Sequence, residues 1–199
     1  MPVRWFSRIF ARLLSDTVDA LVTIDPHLHR YHSLSEIYTI PTRVEHAAPG
    51  IAEWIRTHVE RPVLIGPDSE SKQWVSEVAQ MAGAPYLVLS KIRHGDRSVE
   101  IEVPGLEPWR EHTPVLVDDI ISTGQTMLET IRHLLQAGYA PPICVGVHGV
   151  FAGDAYVNLK QSGVKEVVTC NTIVHSSNKI DMLPILSSAL KEMLDESAL

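Results

Sequence analysis

The chain has 199 residues, room for one domain of about 150 residues and an appendage but not for three domains. With 45% hydrophobic and 21% charged residues and only 11 Gly and 13 Pro, it suits a globular protein with a sizeable core, and disordered or collagenous classes are excluded. Seventeen Lys and Arg against 24 Asp and Glu leave a formal charge of −7, which opposes a phosphate backbone and argues against nucleic acid as a partner.

Residues 2–15 set Trp5, Ile9 and Leu13 in one row, Phe6, Phe10 and Leu14 in the next, and Arg4, Arg8 and Arg12 on a third. That spacing predicts an amphipathic helix, read as packed against the protein, with an organelle-targeting peptide as the alternative. The arginines interrupt the apolar core that a secretory signal needs, so a cytoplasmic address is expected. Ala20 to Asp25 follows as a short apolar run ending in an acid. Ile51, Ile55 and Val59 after Pro49-Gly50 then predict a core helix.

The same grammar recurs further on. Val63-Leu-Ile-Gly66 leads to Asp68 and to a helix with Trp74, Val75, Val78 and Ala82 inward and Gly83 as its stop. Tyr86 to Leu89 leads to Lys91 and Arg93, and the irregular stretch 93–108 encloses an alternating run, Val99 to Val103, expected as an exposed ribbon or flap. Val115 to Val117 leads to Asp118 and Asp119, then to a helix bearing Met127, Ile131 and Leu135. Ile143 to Val147 and Val167 to Thr169 supply two more apolar runs, and Leu183 to Leu194 a terminal helix.

Runs that are apolar at every position belong to strands covered on both faces, and their alternation with helices implies a parallel α/β sheet. Ligands of such sheets bind beyond the carboxyl ends of the strands, where Asp25, Asp68, Lys91, Asp118 and Asp119 are expected to fall. The longest stretch without Asp, Glu, Lys or Arg, near 134–153, contains Pro141, Pro142 and several glycines, so no membrane helix is predicted. Cys144 and Cys170 lie outside any Cys-x-x-Cys pairing and read as reduced, buried thiols.

The most specific text is Val115-Leu-Val-Asp-Asp-Ile-Ile-Ser-Thr-Gly-Gln-Thr126. A strand leading to two adjacent acids, then a small hydroxyl-rich loop opening a helix, suits a ribose phosphate. Backbone N–H groups and hydroxyls of Ser122, Thr123, Gly124, Gln125 and Thr126 would hold the phosphate, while Asp118 and Asp119 accept from ribose hydroxyls. The plainer reading is that Ser122, Thr123 and Thr126 cap the helix and the acids lie at its positive end. Capping leaves the acid pair without a reason, because neighbouring carboxylates repel each other unless cations or hydroxyls face them.

This segment resembles the PRPP-binding motif of type I phosphoribosyltransferase folds, a strand, Asp-Asp, three residues and Thr-Gly-Gly-Thr. Gln125 stands where that pattern has its second glycine, and a left-handed backbone there would strain a glutamine by roughly 1 kcal/mol or more. Together with Asp25-Pro-His-Leu-His-Arg30, Pro67-Asp68, Lys91-Ile-Arg93 and His148-Gly149-Val150, the chain resembles the ribose-phosphate pyrophosphokinase (PRPP synthetase) family, in its archaeal-like form. The resemblance covers almost the whole chain and matches the last two-thirds of such an enzyme, so it implies a fragment or a shortened relative.

The resemblance implies a phosphoribosyltransferase-type, Rossmann-like parallel sheet with helices on both faces and a flap. Residues 1–40 would form the end of the family's N-terminal domain and 41–199 the ribose-phosphate-binding domain. It implies ribose 5-phosphate and ATP as substrates, PRPP as product, Mg²⁺ as cofactor and a homo-oligomer. His27 and Asp68 would serve the metal, and Lys91 and Arg93 the catalytic step. Read from the residues alone, the plainer alternatives are a hydrogen-bonded loop histidine for His27, a helix cap for Asp68 and a solvated pair for Lys91/Arg93. A PRPP-consuming phosphoribosyltransferase and a non-catalytic ribose-phosphate-binding or regulatory subunit are the alternative functions.

Overall fold

The computed structural model describes residues 2–28, 31–67, 71–94, 98–102 and 106–197, with side chains at 6–28, 31–67, 71–89 and 106–196. The chain forms two compact units, Met1–His46 with Leu183–Leu199, and Ala47–Met182.

In the first unit, helix α1 (Pro2–Ser15) precedes β1 (Leu21–Ile24), which pairs in parallel with β2 (Thr42–Glu45) from Leu21↔Thr42 to Ile24↔Glu45. The terminal helix α6 (Leu183–Ser197) lies on these two strands. Arg43 ties the pieces together: its Nε donates to Glu45 Oε1 at 2.6 Å and its guanidinium meets Glu192 Oε2 at 2.6 Å. The guanidinium holds the Glu192 carboxyl below the usual carboxylate range. The α1 helix forms as its periodicity predicts, but its apolar rows are not covered within the described residues. Ala11 is buried, while Phe6 and Leu13 are 68% and 64% exposed and Ile9 and Phe10 are also exposed. The Ala20–Asp25 run is a strand, yet it belongs to this separate two-stranded sheet, so Asp25 follows a strand of that sheet and not one of the larger sheet.

The second unit is built on a six-stranded, all-parallel sheet ordered β10-β9-β8-β7-β3-β4. Its strands are β3 (Pro62–Gly66), β4 (Tyr86–Val88), β7 (Thr113–Ile121), β8 (Ile143–Gly149), β9 (Glu166–Cys170) and β10 (Asn178–Ile180). An antiparallel ribbon, β5 (Ser90–His94) and β6 (Ser98–Glu102), stands apart from it. Consecutive residues 63–65, 115–117 and 143–145 are all buried, which requires cover on both faces. On one face Val63, Ile65, Leu116, Cys144 and Val167 join one apolar cluster with Met127, Ile131 and Leu134 of α4 (Gln125–Gln136) and Leu159 of α5 (Ala155–Gln161). Elsewhere α3 (Lys72–Ala82) packs on β3, β4 and α2 (Ala48–His58). The parallel α/β expectation therefore holds, and Cys144 is a core thiol whose ionisation burial pushes up to about 12.

Two particulars differ from the sequence reading. Strand β7 does not end at the acid pair but runs past it to Ile121, with Asp118 opposite Gly146 and Ile120 opposite His148. Its register is extended by β8, whose own apolar run is long enough to pair that far. The flap begins before the irregular stretch 93–108: its first strand is β5, which follows β4 directly and carries Lys91, opposite Ile101, and Arg93, opposite Val99.

Candidate functional site

The site is best built from β7. Asp118 and Asp119 are half-buried within the second half of this nine-residue strand. Asp118 Oδ1 accepts the N–H of Asp119 at 3.1 Å, and Asp119 Oδ1 accepts the N–H of Ile120 at 2.8 Å. These local bonds coincide with a break in strand alternation. Leu116 and Ile121 join the same apolar cluster although strict period-two geometry would set them on opposite faces. The carboxylates are thereby held by backbone at the carboxyl-terminal end of a central strand, the position where parallel sheets bind ligands.

Beyond the strand, Ser122 and Thr123 are exposed, and Gly124 turns the chain with φ 69° and ψ 5°. Gly124 is the N-cap of α4, and among the described residues no side-chain hydrogen bond caps that end. The first intrahelical bond runs from Leu128 N–H to the Gly124 carbonyl at 2.8 Å, so the N–H groups of Gln125, Thr126 and Met127 have no acceptor inside the helix. The capping role considered for Ser122, Thr123 and Thr126 is therefore not what the loop does. Uncapped amides at the positive end of a helix dipole suit an anion. Gln125 opens the helix and is absent from the residues with positive φ; the left-handed turn is taken by Gly124. The strain expected at Gln125 therefore does not arise.

The loop is braced by β8 and the turn that leaves it. Phe151 N–H donates to the Ile121 carbonyl at 3.0 Å and Ala152 N–H to the Ser122 carbonyl at 3.1 Å. His148 is half-buried; Thr172 Oγ1 donates to the Val147 carbonyl at 2.9 Å, so His148 Nδ1 must be the donor in its 2.9 Å bond to that hydroxyl. Lys91 and Arg93 lie in β5, whose partner β6 runs beside α4. The structure thus brings the acid pair, the loop and the ribbon into one compact unit.

His27 belongs to the other unit and is exposed. Two residues before it, Asp25 has φ 34° and its Oδ1 lies 2.7 Å from His46 Nδ1. Asp68 lies outside the described residues. Among the described residues no group of three His, Cys, Asp or Glu side chains could hold a metal ion. Mg²⁺ needs only one or two protein ligands beside phosphate oxygens and water. An oxygen donor such as Asp68 suits it directly, and the imidazole of His27 suits it through a water. Two contacts beside these residues were not foreseen in the sequence, that of His46 with Asp25 and that of Phe151 with Ile121. His46 carries no local signal, whereas the left-handed Phe151 follows a visible His-Gly-Val segment.

A central strand that carries paired acids and opens a helix through a left-handed glycine defines an α/β protein with a parallel sheet. The family model "Phosphoribosyl transferase domain" matches residues 33–183, and the chain belongs to that family. It is 31% identical to the ribose-phosphate pyrophosphokinase of Sulfurisphaera tokodaii over 169 residues, which cover 84% of this chain and 57% of that protein. It is 31% identical to that of Methanopyrus kandleri over 188 residues, 94% of this chain and 63% of that protein. The crystal structure of phosphoribosylpyrophosphate synthetase from Mycobacterium smegmatis shares the fold, with a TM-score of 0.75 at 24% identity over 96% of this chain and 64% of that one. The chain therefore spans about three-fifths of the length of these relatives.

Proposed function

We propose that this chain carries the ribose-phosphate-binding machinery of a ribose-phosphate pyrophosphokinase, in which the diphosphoryl group of MgATP passes to the C1 hydroxyl of ribose 5-phosphate to give PRPP and AMP. The observation that carries the reading is the uncapped start of α4 behind Gly124, next to two half-buried aspartates. Relatives that bear this name at 31% identity support it.

In this reading Ser122, Thr123, Gly124, Gln125 and Thr126 hold the 5-phosphate through backbone amides and hydroxyls. Asp118 and Asp119 accept from the ribose hydroxyls and orient C1. Lys91 and Arg93, carried on the ribbon, neutralise charge as the C1 oxygen bonds to the β-phosphorus and the bond from that phosphorus to the oxygen bridging to the α-phosphate breaks, leaving AMP. His27 and Asp68 serve the metal-linked side, where bound Mg²⁺ offsets the charge of the triphosphate. Residues 41–199 form the phosphoribosyltransferase-type domain, and residues 1–40 correspond to the end of a preceding one. A cytoplasmic address and a homo-oligomer belong to the same proposal. Among the described residues no helix is long and apolar enough to cross a membrane.

The test is AMP release from ATP, Mg²⁺ and ribose 5-phosphate. The double variant Lys91→Ala/Arg93→Ala is expected to lose turnover by at least a hundredfold, as removal of transition-state charge stabilisation does, while its ribose 5-phosphate affinity in calorimetry stays within about twofold. Full activity in the double variant would overturn the assigned roles. Ribose 5-phosphate binding by the parent chain without any AMP release would favour the non-catalytic subunit, and PRPP-dependent base incorporation without ATP the phosphoribosyltransferase.

A further inference from the structure

Phe151 takes a left-handed backbone, φ 46°, a conformation that is costly for a bulky side chain and persists only where its surroundings over-determine it. Those surroundings are an aromatic cluster. The Phe151 ring meets Tyr156 with centroids 5.1 Å apart at 62° and His175 at 4.6 Å and 40°, and Tyr156 meets His175 edge-on at 4.5 Å. His175 is itself held, with Nδ1 2.8 Å from Ser177 Oγ. The ring also occupies space that only a glycine leaves open, because a Cβ at Gly149 would stand 2.6 Å from Phe151 Cε2.

The backbone held in this way is the one that reaches the candidate site. The amides of Phe151 and Ala152 donate to the carbonyls of Ile121 and Ser122, two residues at the point where β7 passes into the loop. From α5, Leu159 comes within 3.3 Å of where a Cβ at Gly124 would be. Neither Phe151 nor Ala152 supplies the uncapped amides, so their effect on a ligand is indirect.

We infer that Phe151 is a positioning residue for the Ser122–Thr126 loop: its ring, clamped by Tyr156 and His175, keeps two backbone donors aimed at the loop's entry and so presets the loop for the phosphate of its ligand. This rests on the ribose 5-phosphate reading above for the identity of that ligand. The ring acts by fixing backbone, so its removal loosens the loop without removing any group that would touch the sugar.

The experiment compares Phe151→Ala, Phe151→Gly and Phe151→Tyr with the parent chain, well below the unfolding midpoint of each. Amide hydrogen exchange at residues 151 and 152 is expected to quicken at least tenfold in Phe151→Ala and Phe151→Gly and to stay near the parent in Phe151→Tyr. Ribose 5-phosphate affinity in calorimetry is expected to follow the same order, weakened about tenfold by loss of the ring and rescued by tyrosine. Phe151→Gly, free of the left-handed penalty, keeps the test decisive if the alanine variant does not fold. Lowered thermal stability with unchanged exchange and unchanged affinity would show a purely structural ring and overturn the inference. No ribose 5-phosphate binding by the parent chain would overturn the ligand reading, while altered exchange in the variants would still support the tether.

Discussion

At the scale of single residues, the candidate site turns on Gly124. A left-handed turn at the mouth of α4 lets the chain leave β7 and enter the helix with its first amides uncapped, and only glycine adopts that backbone without a steric cost. Gly124→Ala is therefore expected to destabilise the protein by about 1–2 kcal/mol from the backbone alone. A Cβ there also meets Leu159 Cδ1 at 3.3 Å. Urea unfolding measures the loss of stability, and ribose 5-phosphate titration measures the loss of affinity expected from a displaced loop. Affinity and stability both at parent values would show that the turn is not what shapes the site. The motif's residues were legible here but its turn was not: Gly124 takes the positive φ, and Gln125 in place of a second glycine carries no strain because the helix has already begun.

At the scale of elements, local patterns predicted most of the helices and strands correctly, because apolar periodicity records burial directly. The strand β10 and the helix α5 escaped notice for physical reasons. Asn178-Lys-Ile180 is too short and polar for an apolar run, and α5 has seven residues, two turns with little room for a period. The extension of β7 through Asp118 and Asp119 is likewise invisible locally, since acids resist burial and the pairing with β8 overrides that preference. The pair of Arg43 and Glu192 joins a strand to a helix distant in sequence, and it makes a pH-dependent prediction. Arg43 lowers the folded-state ionisation of Glu192 below its unfolded value, so the pair's contribution is present above the ordinary glutamate range and is lost as pH falls through the folded value. The parent and Glu192→Gln should differ in Tm at pH 7 and converge as pH falls well below the ordinary glutamate range; because both side chains are partly exposed, added salt should narrow the gap. A Tm difference that stays constant from neutral pH down through the acid range would defeat the account.

At the scale of the whole molecule, the most conspicuous unabsorbed feature is α1. Phe6, Ile9, Phe10 and Leu13 expose an apolar row on a chain with a net charge of −7, and clustered apolar surface of this kind marks association sites. The homo-oligomer proposed above is expected to use it. Sedimentation equilibrium should then give the parent a mass that is a multiple of 22.1 kDa, and Phe6→Asp with Phe10→Asp should return it to that of a single chain. A parent that sediments as one chain at tens of micromolar, or a double variant with unchanged mass, would remove α1 from consideration.

The amino-acid order by itself determined the α/β class, the acid pair and the hydroxyl-rich loop that opens a helix, because each rests on contacts between neighbours in sequence: strand runs, helix periods and a turn that needs glycine. Tertiary structure alone decided that β1 and β2 form a sheet of their own, that Lys91 and Arg93 ride on a ribbon, and that Phe151 reaches back to the loop. Those depend on pairings between segments far apart along the chain, and no local pattern encodes which distant backbone will supply the missing hydrogen bonds.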